Sequence, residues 1–165
     1  MITARILDII EGTTVDGPGF RTSIYFAGCS HACKGCHNPQ SWDMAGGREM
    51  SIEALAAVVR EAEMPVTLSG GDPMYQPEAV EALCRSLREG NEGISIWCYT
   101  GFEYEHLATT ERYAPLLELI DVLVDGPFVE TLRDTSLLFR GSSNQRLIDL
   151  RKSTPTHPVL WHTEW

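Results

Sequence analysis

The tightest constraint on this chain is a cluster of thiols: Cys29, Cys33 and Cys36 fall within eight positions, spaced C-x3-C-x2-C. Three of the five cysteines thus share one stretch, Gly28 to Asn38. Directly before it runs Thr22-Ser23-Ile24-Tyr25-Phe26-Ala27, an apolar segment that reads as a buried strand. Whatever the fold, it must hold a three-thiol loop at a strand end. Three thiolates so placed form a metal-binding arrangement, and three rather than four leave a metal centre one position open for chemistry.

The rest of the chain reads as alternating strands and helices. Residues 2–10 look like a strand or extended arm, and Asp16-Gly17 and Pro18-Gly19 mark tight turns after it. Asn38-Pro39 and Gly46-Gly47 keep the chain irregular up to about residue 50. Ser51 suits a helix N-cap with Glu53 in the first turn, and Ile52, Leu55, Ala56, Val59 and Ala62 recur at helical spacing over 52–63. Pro65 closes that helix, and Val66-Thr67-Leu68-Ser69 is a short strand leading into Gly70-Gly71-Asp72-Pro73. A second helix over 77–89 carries Val80, Leu83, Cys84 and Leu87 on one stripe, with Pro77 in its first turn and Gly90 as its stop. A strand over 94–99 ends at Thr100-Gly101, a helical region over 103–119 breaks near Pro115, and a strand over 120–124 ends at Asp125-Gly126-Pro127. Beyond it lie the polar turn Arg140-Gly141-Ser142-Ser143-Asn144-Gln145-Arg146 and a short apolar piece, 147–150. The last fifteen residues read as a tail that packs through Val159, Leu160 and Trp161.

Strand, loop, helix, strand is the rhythm of an α/β protein with a mostly parallel sheet. In such sheets, sites form at the carboxyl ends of the strands. Here each of those ends carries an unusual loop: Cys-rich, Gly-Gly-Asp-Pro, Thr-Gly and Asp-Gly-Pro. The four loops converge on one rim. A closed eight-unit barrel needs about 250 residues, so 165 residues make only a partial, open one.

Composition narrows the function classes. The formal net charge is −10, from 23 acidic against 13 basic residues, which argues against non-specific nucleic-acid binding. No stretch approaches the roughly 18 apolar residues of a membrane helix, and Met1 to Ile10 resemble neither a signal peptide nor an anchor. A cytoplasmic location is expected, where clustered cysteines bind metal or do catalysis more often than they form disulfides.

Two metal chemistries suit the cysteine loop. One is a closed zinc site completed by His31 or His37; such a zinc-binding interaction module would need no catalysis. The other is an iron–sulfur cluster, which thiolates also select. Cys84 and Cys98 read as small core residues, so a cluster held by the loop alone would leave one iron open.

C-x3-C-x2-C on the loop after a strand resembles the signature of radical S-adenosylmethionine enzymes. The wider run Val15-Asp16-Gly17-Pro18-Gly19-Phe20-Arg21, then Gly28 to Cys36, His37-Asn38 and Trp42-Asp43, is similar to the glycyl-radical-enzyme activases. Ser69-Gly70-Gly71-Asp72-Pro73, Asp121 to Phe128 and Arg140 to Gln145 resemble most the activating proteins of anaerobic (class III) ribonucleoside-triphosphate reductases. The resemblance implies a radical-SAM domain over residues 1–150, a partial barrel, with a C-terminal tail over 151–165. It implies one 4Fe–4S cluster on Cys29, Cys33 and Cys36, whose fourth iron chelates S-adenosylmethionine. One-electron cleavage of that cofactor would give a 5′-deoxyadenosyl radical, which takes a hydrogen atom from a glycine of the reductase. Gly35, Cys36, His37, Gly70, Gly71, Asp72, Thr100 and Asp125 would bind the cofactor. The implied partners are the reductase and an electron donor such as flavodoxin. An activase for another glycyl radical enzyme, such as pyruvate formate-lyase, is the nearest alternative; that enzyme's activase has an Asp of a cation site where this chain has Cys98.

Overall fold

Alternation along one strand sets the plan of the molecule. In β2 (Arg21–Phe26), Ile24 and Phe26 enter an apolar core, whereas Ser23 and Tyr25 carry hydroxyls on the other face. The computed structural model describes residues 1–29, 43 and 46–162. In chain order these form β1 (Thr3–Thr13), β2, β3 (Arg48–Ser51), α1 (Ile52–Ala62), β4 (Val66–Gly70), α2 (Pro77–Gly90), β5 (Ile96–Tyr99), α3 (Tyr104–Ala108), α4 (Ala114–Leu117), β6 (Val122–Asp125) and β7 (Arg146–Asp149). Single 3₁₀ turns span Pro73–Tyr75 and Glu130–Leu132.

The strands make one seven-stranded sheet in the order β3-β1-β2-β4-β5-β6-β7. The α/β reading holds, but the sheet is parallel only in its middle: β2, β4, β5 and β6 run parallel, while β1–β3, β1–β2 and β6–β7 are antiparallel. The physical reason at β1 is loop length. Only residues 14–20 join it to β2, too few for a parallel crossover, which takes a dozen or more. The segment expected to stay irregular up to residue 50 ends in a strand, β3. Its sequence, Arg48-Glu49-Met50-Ser51, has no apolar run, and pairing with Thr3 to Ile6 is what extends it.

Helices form where local signals and core burial agree. Ser51 caps α1 by accepting a hydrogen bond from the Ala54 N–H at 3.1 Å, and Ile52, Leu55, Ala56 and Val59 are buried. On α2, Ala79, Val80, Leu83, Cys84 and Leu87 pack against Ile24, Leu68, Ile96 and Leu123 of the sheet in one core. The expected break near Pro115 is a restart: α3 ends at Ala108, and Pro115 sits in the first turn of α4. After β7 the chain turns back, so that the Asp149 N–H donates to the Val159 carbonyl and the Trp161 N–H to the Leu147 carbonyl, both at 2.8 Å.

β2 and β4 meet so closely at their ends that only glycine fits. Gly70 has φ +104°, and a Cβ there would stand 2.4 Å from the Phe26 nitrogen and 2.5 Å from its carbonyl oxygen. Gly70→Ala is therefore expected to destabilise the fold by about 3 kcal/mol, from overpacking against backbone plus left-handed strain. Urea unfolding checks this; an unchanged midpoint would contradict the close approach.

Candidate active site

Because β2, β4, β5 and β6 are parallel and adjacent, their carboxyl ends lie side by side. Backbone bonds tie each loop to the next. The Gly71 N–H donates to the Phe26 carbonyl at 2.8 Å, and the Asp72 N–H to the Gly28 carbonyl at 2.7 Å. The Thr100 N–H donates to the Val124 carbonyl at 2.9 Å, and the Gly126 N–H to the Phe102 carbonyl at 3.0 Å. Gln76 adds a brace: its amide nitrogen donates to the carbonyls of Arg5 and Ala27, and its oxygen accepts from the Arg5 N–H. The first thiol, Cys29, leaves β2 from this braced point, partly exposed.

Asp72 is fully buried. Its Oδ1 accepts from the Met74 N–H at 2.9 Å, and its Oδ2 from the Thr100 hydroxyl at 3.0 Å and the Gly101 N–H at 2.9 Å. Thr100 in turn accepts from the Phe102 N–H at 3.1 Å. The expected cofactor-contacting side chains of Asp72 and Thr100 are thus engaged with each other and with backbone. Asp125, also buried, accepts from the Tyr104 N–H and from Arg146, which forks across Asp125 and Glu105. The Arg146 bonds hold Glu105 below the usual carboxylate range. The polar turn 140–145 folds onto the same strand end. Gln145 accepts from the Gly141 and Ser142 N–H groups and donates to the Gly126 carbonyl, while Asn144 donates to the Pro127 carbonyl.

The structure therefore brings Cys29, Gly70, Gly71, Asp72, Thr100 and Asp125 onto neighbouring strand ends. Cys33, Gly35, Cys36 and His37 lie outside the described residues. Cys84 and Cys98 are buried in the helix-side core, where desolvation pushes the Cys84 thiol up to about 12 and Cys98 well above its ordinary value. Both side chains point into that core and away from the rim's exposed surface.

The sequence reading missed the polar face below the rim. Asp16, on the turn after β1, accepts through Oδ2 from the Tyr25 hydroxyl at 2.8 Å and the Ser23 hydroxyl at 3.0 Å. Burial and then the Asp16 bond push Tyr25 up to about 12. The Asp16 carbonyl accepts from Thr67, whose hydroxyl oxygen takes the Arg21 Nε–H. Arg21 is buried among the Val66 and Ser95 carbonyls, and desolvation lowers it to about 10, still charged at neutral pH. The signal was present as a period of two: Arg21, Ser23 and Tyr25 alternate with Thr22, Ile24 and Phe26.

Removing the Asp72 carboxylate would leave three donors without it in a buried place. Asp72→Ala should cost about 3 kcal/mol, and Asp72→Asn less because one acceptor oxygen remains. Denaturant unfolding of both variants checks the order, and equal losses would contradict it.

The profile of a family described as a 4Fe-4S single cluster domain matches residues 15–148. An anaerobic ribonucleoside-triphosphate reductase-activating protein from Salmonella typhimurium is 36% identical over 145 residues, covering 83% of this chain and 93% of that protein. Proteins of the same name from Haemophilus influenzae and Enterobacteria phage T4 are 38% and 33% identical over 141 and 139 residues. They cover 79% and 81% of this chain and 88% and 86% of their own lengths. With a family profile matched over most of the chain and relatives at 33–38% identity covering about four fifths of it, the chain belongs to the 4Fe-4S single-cluster family and to the anaerobic ribonucleoside-triphosphate reductase-activating proteins.

Proposed function

We propose that this protein activates an anaerobic ribonucleoside-triphosphate reductase by installing a glycyl radical, as a radical S-adenosylmethionine enzyme on a partial, open barrel. The observation that carries the reading is the convergence of the cysteine-loop exit, the Gly70-Gly71-Asp72 turn and the Thr100 turn through the Asp72 backbone and carboxylate. The family and the names of the relatives support the substrate.

The residues fit the group they are asked to hold. Cys29, Cys33 and Cys36 offer thiolates, the ligands of iron–sulfur clusters, and the buried Cys84 and Cys98 offer no fourth. When bound, the 4Fe–4S cluster supplies one electron to S-adenosylmethionine and so the hydrogen-abstracting radical. The protein's part is placement. Gly70 and Gly71 have no side chain to keep a ligand from the backbone, so the methionine ammonium can be met by carbonyl oxygens there. Asp72 and Thr100 hold that turn against β5 from behind, and Asp125 fixes the next strand end through Arg146. Gly35 and His37 would flank the adenine. Residues 1–150 would carry this site, with 151–165 as its C-terminal segment. A cytoplasmic setting and an electron donor such as flavodoxin complete the proposal.

Anaerobically reconstituted protein should be brown and carry about four iron per chain. With dithionite and S-adenosylmethionine it should release methionine and 5′-deoxyadenosine, and Cys33→Ala should abolish both. With the reductase present, electron paramagnetic resonance should show a glycyl doublet on that partner. Colourless protein with one tight zinc, or cleavage that survives in the variant, would sink the reading.

A further inference from the structure

Opposite the helices, the sheet is polar on β2 and β4 and, around Trp97, apolar on β5 to β7. The apolar half is covered by side chains that come from outside the strands. Trp97, 1% exposed, meets Phe139 edge-on at 5.4 Å between centroids and Trp161 edge-on at 4.9 Å. Val122, Val124 and Leu147 complete the cluster. On the other flank of Trp97 stand the Arg21 guanidinium, 5.6 Å from the ring, and Gly17, where a Cβ would lie 3.3 Å from the indole.

Both covering residues are fixed. Phe139 has φ +61°, rare for a side-chain-bearing residue, and its carbonyl accepts from the Tyr99 hydroxyl at 2.5 Å. Trp161 is held by its own N–H on the Leu147 carbonyl, beside a bridge between Ile148 and Leu160. Aromatic pairs at these distances and angles add about 0.5–1.5 kcal/mol each beyond their buried area. The cluster is therefore a stable part of the fold.

Its depth is what gives it meaning. Trp97 is three residues before Thr100 on β5 and lies in register with Thr67 and Val122. At roughly 3.3 Å per residue, the indole lies about 10 Å below the rim. A closed barrel fills its lower interior with strand side chains. This open sheet of seven strands instead fills the place with Phe139 and Trp161, from the loop before β7 and the chain after it.

We propose that Phe139 and Trp161 are positioning residues that form the floor of the reaction space. They stop the glycine-bearing segment at rim depth and keep water and reductant from reaching the radical from below. The proposal rests on the radical reading of the rim and gives the segment after residue 150 a role in the reaction.

Two measurements on the full-length, reconstituted protein test it. The chain has four tryptophans; in a Trp42→Phe, Trp165→Phe background, Trp161→Ala leaves Trp97 as the sole emitter. Its emission should move to the red and its acrylamide quenching rise several-fold, while Trp161→Phe keeps Trp97 shielded. Equal quenching in the two variants would overturn the floor. Next, 5′-deoxyadenosine released per glycyl radical formed on the reductase should rise roughly 10-fold in Trp161→Ala and return towards the parent value in Trp161→Phe. An unchanged ratio would also overturn it. Should Trp161→Ala fail to fold, Phe139→Leu made in the Trp42→Phe, Trp161→Phe, Trp165→Phe background, where Trp97 is again the sole emitter, reads the same two quantities. If the parent protein cleaves no S-adenosylmethionine, the radical reading fails, while the quenching result still decides whether the floor exists.

Discussion

One buried carboxylate joins three strand ends. Asp72 gives its N–H to the Gly28 carbonyl at the end of β2, sits itself at the end of β4, and takes the Thr100 hydroxyl and Gly101 N–H at the end of β5. A fully buried acid is expensive unless its oxygens are satisfied, and here neutral donors supply that satisfaction. Side-chain length matters. Aspartate is short enough to cap its own 3₁₀ turn through the Met74 N–H while its second oxygen reaches β5; a glutamate would carry the carboxylate one methylene further on. The Gly70-Gly71-Asp72 turn thus ends in a residue whose side chain holds the loops together.

Around that joint the sheet separates two kinds of chemistry. Towards the helices every central strand presents an apolar or thiol side chain, Ile24, Leu68, Cys98 and Leu123 among them. Towards the other face the same strands present Tyr25, Thr67, Trp97 and Val124. Cysteines consequently divide by environment. Cys84 and Cys98, desolvated in the core, are held as thiols, whereas Cys29 sits partly exposed at the rim.

The sequence made some of this legible and hid the rest for physical reasons. Helix α1 and the strand ends at Gly70, Tyr99 and Asp125 followed from capping residues, periodicity and Gly/Pro punctuation, all of them local signals. Strand β3 was not legible because its four residues carry no pattern and owe their conformation to β1. Strand direction at the edges was equally hidden, since direction depends on where the chain returns. At the site, the residues on the rim could be named, yet the sequence could not show that the Asp72 and Thr100 side chains face each other. That depends on β4 and β5 being neighbours in register. The network of Asp16, Ser23, Tyr25, Thr67 and Arg21 was in principle readable as alternation, but Tyr25 and the β-branched Thr22 and Thr67 also suit a buried apolar strand, and that reading masked it.

An open sheet has two edges to protect and an interior to fill, and both tasks fall to segments outside the parallel core. At one edge the antiparallel pair β1 and β3 continues the sheet beyond β2 and ends it on a four-residue strand, too short and too charged to template further pairing. At the other edge β7 would offer its outer side to any passing strand, but residues 159–161 occupy it through the Asp149 and Trp161 N–H bonds. The same short segment that covers the edge also delivers the Trp161 indole to Trp97. Protecting the edge and closing the lower interior are thus one structural event, and losing the segment would cost the sheet both at once.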